Sequence, residues 1–143
     1  MERIRGIEEF KVGDELTQKR VVDDAAVRGF AEVSGDHNRI HLDEEYARST
    51  RFGRRIAHGA LLGAYISKVL GMDLPGPGAV YLSQTLEFLA PVYVGDEISV
   101  TLRVEEVDLP ARILVLSNTV RGPGGNDVAK GVSRVKLPKT KAP

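Results

Sequence analysis

The chain changes its rhythm of apolar and polar positions halfway along. Ala60, Leu61, Leu62, Ala64, Tyr65, Ile66, Val69 and Leu70 make the segment from about Gly59 to Leu70 apolar nearly all the way round. A helix without a polar face is normally buried on most sides. Gly71 to Gly78, with Pro75 and Pro77, must be a loop. After it the period becomes two. Leu82, Gln84, Leu86 and Phe88 alternate with Tyr81, Ser83, Thr85 and Glu87, and Ile98, Val100, Leu102 and Val104 alternate with Ser99, Thr101, Arg103 and Glu105. Arg112 to Arg121 reads as another strand, Gly122 to Asn126 as a hairpin turn, and Val128 to Leu137 as the last strand. Upstream, Glu15 to Val22 is a short strand. Asp23 or Asp24 can cap a helix running to about Val33, with Val27, Phe30 and Ala31 on one face, and Gly35 ends it. A loop runs to His41, Asp43 can cap a helical turn through Tyr46, and Arg51 to Arg55 is a basic connection. Helices ahead of antiparallel strands make an α+β pattern, with one long helix for a sheet to wrap.

Composition narrows the picture. The 143 residues fit one domain, 1–143, whose last residues, 138–143, form a loose basic tail. An apolar share of 42% supports a packed core and argues against disorder. Twenty basic and twenty acidic residues cancel, which leaves no global field for nucleic acid or an anionic membrane and removes one barrier to self-association. The absence of cysteine excludes disulfides, thiolate catalysis and cysteine-held zinc. No apolar run approaches the ~20 residues that span a bilayer, and Met1 to Arg5 lacks an apolar leader core. A cytoplasmic protein is the expectation.

Candidate chemistry concentrates in one place. All three histidines, His37, His41 and His58, fall within 22 residues, and Asp36, Asn38 and His41 share a glycine-punctuated loop. Asp36 and His41 could converge on one water from two sides; alternatively, Asp36 caps a turn and His41 caps the helix after it. Asn38 either orients the carboxylate or water, or makes an Asx turn. Gly59 opens the apolar helix, where unpaired N–H groups and partial positive charge suit an oxyanion, although helix–sheet packing also explains a glycine there. A metal site built from His37, His41 and Asp36 or Asp43 is disfavoured, because Gly35 and Asn38 argue for a loop and no Glu lies between the histidines.

These residues carry a family resemblance. Phe30, Val33-Ser34-Gly35-Asp36, Asn38, Ile40-His41 and Ala47 resemble the hydratase motif of MaoC-like (R)-specific enoyl-CoA hydratases. Phe52-Gly53-Arg54, Ile56-Ala57-His58-Gly59, Leu74-Pro75-Gly76 and Pro91 to Asp96 resemble further blocks of that family. The resemblance implies a hot-dog fold, pairing into homodimers or larger homo-oligomers, and hydration of trans-2-enoyl-CoA to (R)-3-hydroxyacyl-CoA or the reverse, with no cofactor beyond the CoA of the substrate. It implies Asp36 and His41 as the water-handling pair and the Gly59 amide as oxyanion donor. Ser67 would contact the site, unless its hydroxyl simply bonds back to its own helix. His58 would fix the turn by hydrogen bonding. Arg54 and Arg55, with Arg48 and Arg51, would meet CoA phosphates or lie solvated. His37 has no role. One departure stands out: the family motif usually has proline after the Asn, and here it is Arg39, so the φ restraint on the loop is lost. Rival readings are a carrier-protein dehydratase, a hot-dog thioesterase and a non-catalytic acyl-CoA-binding subunit.

Overall fold

The computed structural model describes residues 3–140. Of the tail 138–143, only 138–140 fall among them; residues 141–143 lie outside. After a short 3₁₀ turn, Ile7–Glu9, come β1 (Glu15–Val21), α1 (Asp24–Ser34), α2 (Arg39–Leu42), α3 (Glu44–Arg48), α4 (Gly59–Met72), β2 (Val80–Phe88), β3 (Glu97–Asp108), β4 (Ile113–Arg121) and β5 (Asp127–Lys136). The strands form one antiparallel sheet in the order β1-β3-β4-β5-β2. The sheet does not close, so β1 and β2 are both edges.

Alternation decides the core. Ile98, Val100, Leu102 and Val104 of β3, Leu114, Leu116 and Val120 of β4, and Val128 and Val135 of β5 are buried. They form one cluster with Leu61, Leu62, Tyr65, Ile66, Val69 and Leu70 of α4. This is the hot-dog arrangement, a curved antiparallel sheet around one apolar helix. Ile66 is completely buried; truncating such a side chain to alanine costs about 2–5 kcal/mol.

Three differences from the sequence reading have physical causes. The loop expected through His41 closes one helical turn early, because Asn38 caps α2 by accepting from the Ile40 N–H at 3.4 Å. The expected loop from Gly71 starts two residues late, since α4 continues to Met72. The alternation in β2 is blurred: Gln84 and Leu86 are half-buried, while Leu82 and Phe88 are exposed, as suits a strand at the edge of the sheet.

The segment ahead of α4 is held as though it were a further edge. Ala57 N–H donates to Val92 O at 2.7 Å, Val94 N–H to Arg55 O at 3.2 Å, and Ile56 bridges Tyr93. That pairing fixes where His58 and Gly59 enter the helix. No helix among the described residues is long and apolar enough to cross a membrane.

Candidate active site

Helix α1 ends because Gly35 adopts the left-handed conformation, φ 80°, and returns its N–H to Ala31 O at 2.8 Å. Ser34 Oγ then accepts from the Asp36 N–H at 3.0 Å, and Asp36 Oδ1 accepts from the Asn38 N–H at 3.1 Å. Asp36 therefore does cap a turn. It does so at the surface, with its second carboxylate oxygen unengaged among the described residues. Asn38, also exposed, uses its side-chain oxygen on α2.

His41 sits at the inner end of the same turn and is buried. Its Nδ1 lies 2.7 Å from Ile56 O. A carbonyl only accepts, so Nδ1 carries the proton and Nε2 holds the lone pair of the neutral ring. Burial is the main influence pushing the His41 pKa below its ordinary 6.5, opposed by the Ile56 carbonyl and aided by His58.

His58, at the N-cap of α4, is nearly inaccessible. Its Nε2 donates to the Asp36 main-chain carbonyl at 3.0 Å, across 22 residues of sequence. Its Nδ1 is buried without a partner among the described residues. The His58 ring stacks on His41 with centroids 3.8 Å apart, and the Phe30 ring lies 4.8 Å away. One ligand-type atom each of Asp36, His41 and His58 falls within 4.8 Å of the other two. Stacked rings direct their in-plane lone pairs side by side rather than at one point, and two of the four ring nitrogens already serve carbonyls. The trio suits proton transfer better than chelation.

A cleft of about 500 Å³ opens beside this cluster, lined by His41, Gly59, Phe52, Leu62, Phe88 and Val92 among others, with Arg51 on its wall. Its walls are mainly apolar, so a charge developing inside is poorly solvated and feels nearby dipoles strongly. Gly59 begins α4, where the backbone N–H has no carbonyl of the helix to bond. Packing also favours glycine: a Cβ there would lie 2.8 Å from the Phe88 ring, which would have to move. Function and packing both point to the same residue.

The other candidates are dispersed. Ser67 is exposed on α4 and faces a separate, smaller recess with Leu70, Ala79, Tyr81 and Val135. Arg54 is exposed, with its guanidinium 4.0 Å over the Tyr93 ring. Arg55 faces inward, its Nε donating to His41 O at 2.7 Å and its terminal nitrogen to Asp24 Oδ1 at 2.6 Å. His37 bonds Glu32 and the Gly35 carbonyl at the surface. Arg39 pairs with Asp43 at 3.2 Å and lies over Tyr46. Sequence reasoning missed Phe88 and the Ile56 carbonyl. Phe88 was legible only as an alternating strand residue, and a main-chain acceptor carries no residue signature.

Residues 9–120 match the family profile of the MaoC-like domain. The chain belongs to the MaoC-like family. It is 44% identical over 137 residues to a 3-hydroxybutyryl-CoA dehydratase of Methylorubrum extorquens, covering 96% of this chain and 87% of that one. An (R)-specific enoyl-CoA hydratase of Aeromonas caviae is 38% identical over 129 residues, 90% of this chain and 96% of that one. Among solved structures, the R-hydratase PhaJ1 of Pseudomonas aeruginosa superposes with a TM-score of 0.90 at 39% identity, covering 96% of this chain and 88% of that one. The expected family and fold are thus both present.

Proposed function

We propose that this protein, a hydro-lyase of the MaoC-like family, interconverts a trans-2-enoyl-CoA and its (R)-3-hydroxyacyl-CoA. The observation that carries the reading is His41. Its Nδ1 is pinned by Ile56 O, its Nε2 is left as a base, and it lines an apolar cleft with the free N–H of Gly59 while sitting beside Asp36.

In the hydration direction, the enoyl thioester lies in the cleft with its carbonyl oxygen at the Gly59 amide. Water held between Asp36 and His41 attacks C3, and one of the pair takes its proton. The electrons of the double bond move toward the thioester oxygen, where the Gly59 N–H and the α4 dipole stabilise the charge. C2 then receives a proton from the pair. Water adds across the double bond and no electrons leave the substrate, so the chemistry calls for no redox cofactor. Asp36 and His41 act as one unit on the same water, a ligand-type atom of each lying within 4.8 Å of the other.

CoA is preferred over a carrier protein because the relatives named for CoA thioesters match over 90% or more of this chain; Arg51, exposed on the wall of the cleft, offers a guanidinium to a CoA phosphate. A second copy of the chain is the proposed cover for the β2 side, where Val80, Tyr81, Leu82, Phe88 and Leu89 are exposed together; sedimentation as a monomer at micromolar concentration would refute it.

Purified protein mixed with crotonyl-CoA should bleach the enoyl absorbance without releasing free thiol, and chiral analysis should find the (R)-3-hydroxy product. Released thiol would mean a thioesterase, and unchanged absorbance a binding subunit. A marked preference for crotonyl-carrier-protein over crotonyl-CoA would favour the carrier-protein reading.

A further inference from the structure

Arg55 is the one arginine of the 51–55 segment turned into the protein, its side chain only 11% exposed. It touches two places that the chain separates widely. Its Nε donates to the carbonyl of His41, and its terminal nitrogen meets Asp24 at the head of α1. Asp24 is held in turn by Arg28 at 3.0 Å, and the Arg55 hydrogen bond is the main influence holding the Asp24 carboxyl below its usual range. The Arg55 carbonyl accepts from Val94. One residue therefore joins the start of α1, the turn bearing His41 and the strand-like segment leading into α4.

The turn needs such a tie. Arg39 places no restraint on φ, and its own contacts, Asp43 and Tyr46, lie within three residues of His41 or beyond it on the surface. The His41 side chain is fixed at Nδ1. Its backbone is held by the single turn of α2, a weak four-residue helix, and by a bond from the Ile56 N–H to the neighbouring Ile40 carbonyl at 3.3 Å; the Arg55 bond to the His41 carbonyl itself, at 2.7 Å, is the shorter tie. The planar fork of arginine can serve a carbonyl and a carboxylate at once, which an ammonium does less well.

Resting on the function proposed above, we propose that Arg55 is a positioning residue, its guanidinium tying the His41 carbonyl to Asp24 and so holding the imidazole in register with Asp36. It takes over the restraint that a proline at position 39 would supply. The Asn38 backbone, at φ −57° and ψ 129°, already has the conformation that a following proline prefers, and Arg39 is the first residue of α2, where a missing N–H is tolerated.

The test uses crotonyl-CoA hydration by Arg55→Met, Arg55→Lys, Asp24→Asn and the double variant Arg55→Met/Arg39→Pro. Loss of the tie should lower kcat about tenfold or more, as misplacement of a catalytic group does, with KM nearly unchanged. Arg55→Lys should recover part of kcat, and Arg39→Pro should restore most of it in the Arg55→Met background. A raised KM for crotonyl-CoA with intact kcat would instead make Arg55 a phosphate ligand and overturn the proposal. So would failure of proline to rescue a folded Arg55→Met protein. If Arg55→Met does not fold, Asp24→Asn, which keeps the arginine and loosens its anchor, must show a smaller kcat loss of the same kind; unchanged kcat there overturns the proposal. Wild-type protein inactive on every enoyl thioester would defeat the proposed function separately. Histidine ring NMR then decides on Arg55: His41 should be a single Nδ1–H tautomer in wild type and a mixture in Arg55→Met, and identical spectra overturn the tie.

Discussion

His37 and His41 lie four residues apart on one turn and experience opposite surroundings. His37 is exposed, and its hydrogen bond to Glu32 is the main influence raising its pKa. His41 is buried, and desolvation lowers its own. The outer arm of the turn thus favours a charged imidazole and the inner arm a neutral one. Only the inner arm borders the cleft. What separates a candidate catalytic histidine from its neighbour here is burial together with a carbonyl that fixes the tautomer, and residue type has no part in it.

The largest expected effect comes from breaking the pair made by His41 of the inner arm and the exposed Asp36 carboxylate within 4.8 Å of it. Asp36→Asn and His41→Ala should each lower kcat on crotonyl-CoA by about 10²–10⁴-fold, the usual worth of a positioned acid or base, while His37→Gln should leave it near wild type. Equal losses in His37→Gln and His41→Ala would remove the distinction between the arms. Gly59→Ala follows in size. The new methyl group meets Phe88 at 2.8 Å, but Phe88 is an exposed edge residue whose ring can swing. Thermal stability should therefore fall modestly. Alanine keeps the N–H, so the fall in kcat, on the order of 10²-fold, comes from the methyl group holding the thioester away from the amide. Gly59→Ala/Phe88→Ala should regain the stability and not the rate. Recovery of both would make Gly59 a packing residue only. Smaller again is Arg51→Gln, which should raise KM for crotonyl-CoA several-fold and leave KM for crotonyl-pantetheine unchanged, as removal of one phosphate contact would; equal effects on both would place Arg51 outside the CoA site.

The two arms also differ in how far they could be read beforehand. The apolar run of α4 and the period-two alternation of β3 were visible because each is a long, repeated consequence of burial on one side. The motif residues Asp36, His41 and Gly59 were visible as residue types at a spacing. Helix α2 was not, since a single turn leaves no periodicity and Asn38 reads equally as a loop residue. The ties that build the inner arm were invisible for a different reason. His58 reaches the Asp36 carbonyl, His41 the Ile56 carbonyl, and Arg55 the His41 carbonyl. Each acceptor is main chain, present at every position, and only the fold selects which one is used. Arg55 illustrates the consequence. In sequence it belonged to a basic cluster with Arg48, Arg51 and Arg54, and its inward turn follows from Asp24, 31 residues earlier.

Acidity gives the finest separation of the arms. His41, with its lowered pKa, resists a proton that the unfolded chain accepts, so its contribution to stability holds above 6.5 and is lost as pH falls below that value. For the same reason, hydration that depends on the neutral His41 ring should persist to lower pH than an ordinary imidazole would allow. His37 has the reverse sign. Its raised pKa means the folded chain binds the proton first, so its contribution is present below 6.5 and disappears as pH rises through its folded value. That contribution is small, because the pair with Glu32 is largely exposed to solvent. Melting temperatures of wild type and His37→Gln should coincide at pH 8 and separate slightly at pH 5.5, with the variant lower, and high salt should erase the gap. A variant that melts lower at pH 8 as well would mean that His37 supports the turn by packing, and the outer arm would then share the structural role assigned to the inner one.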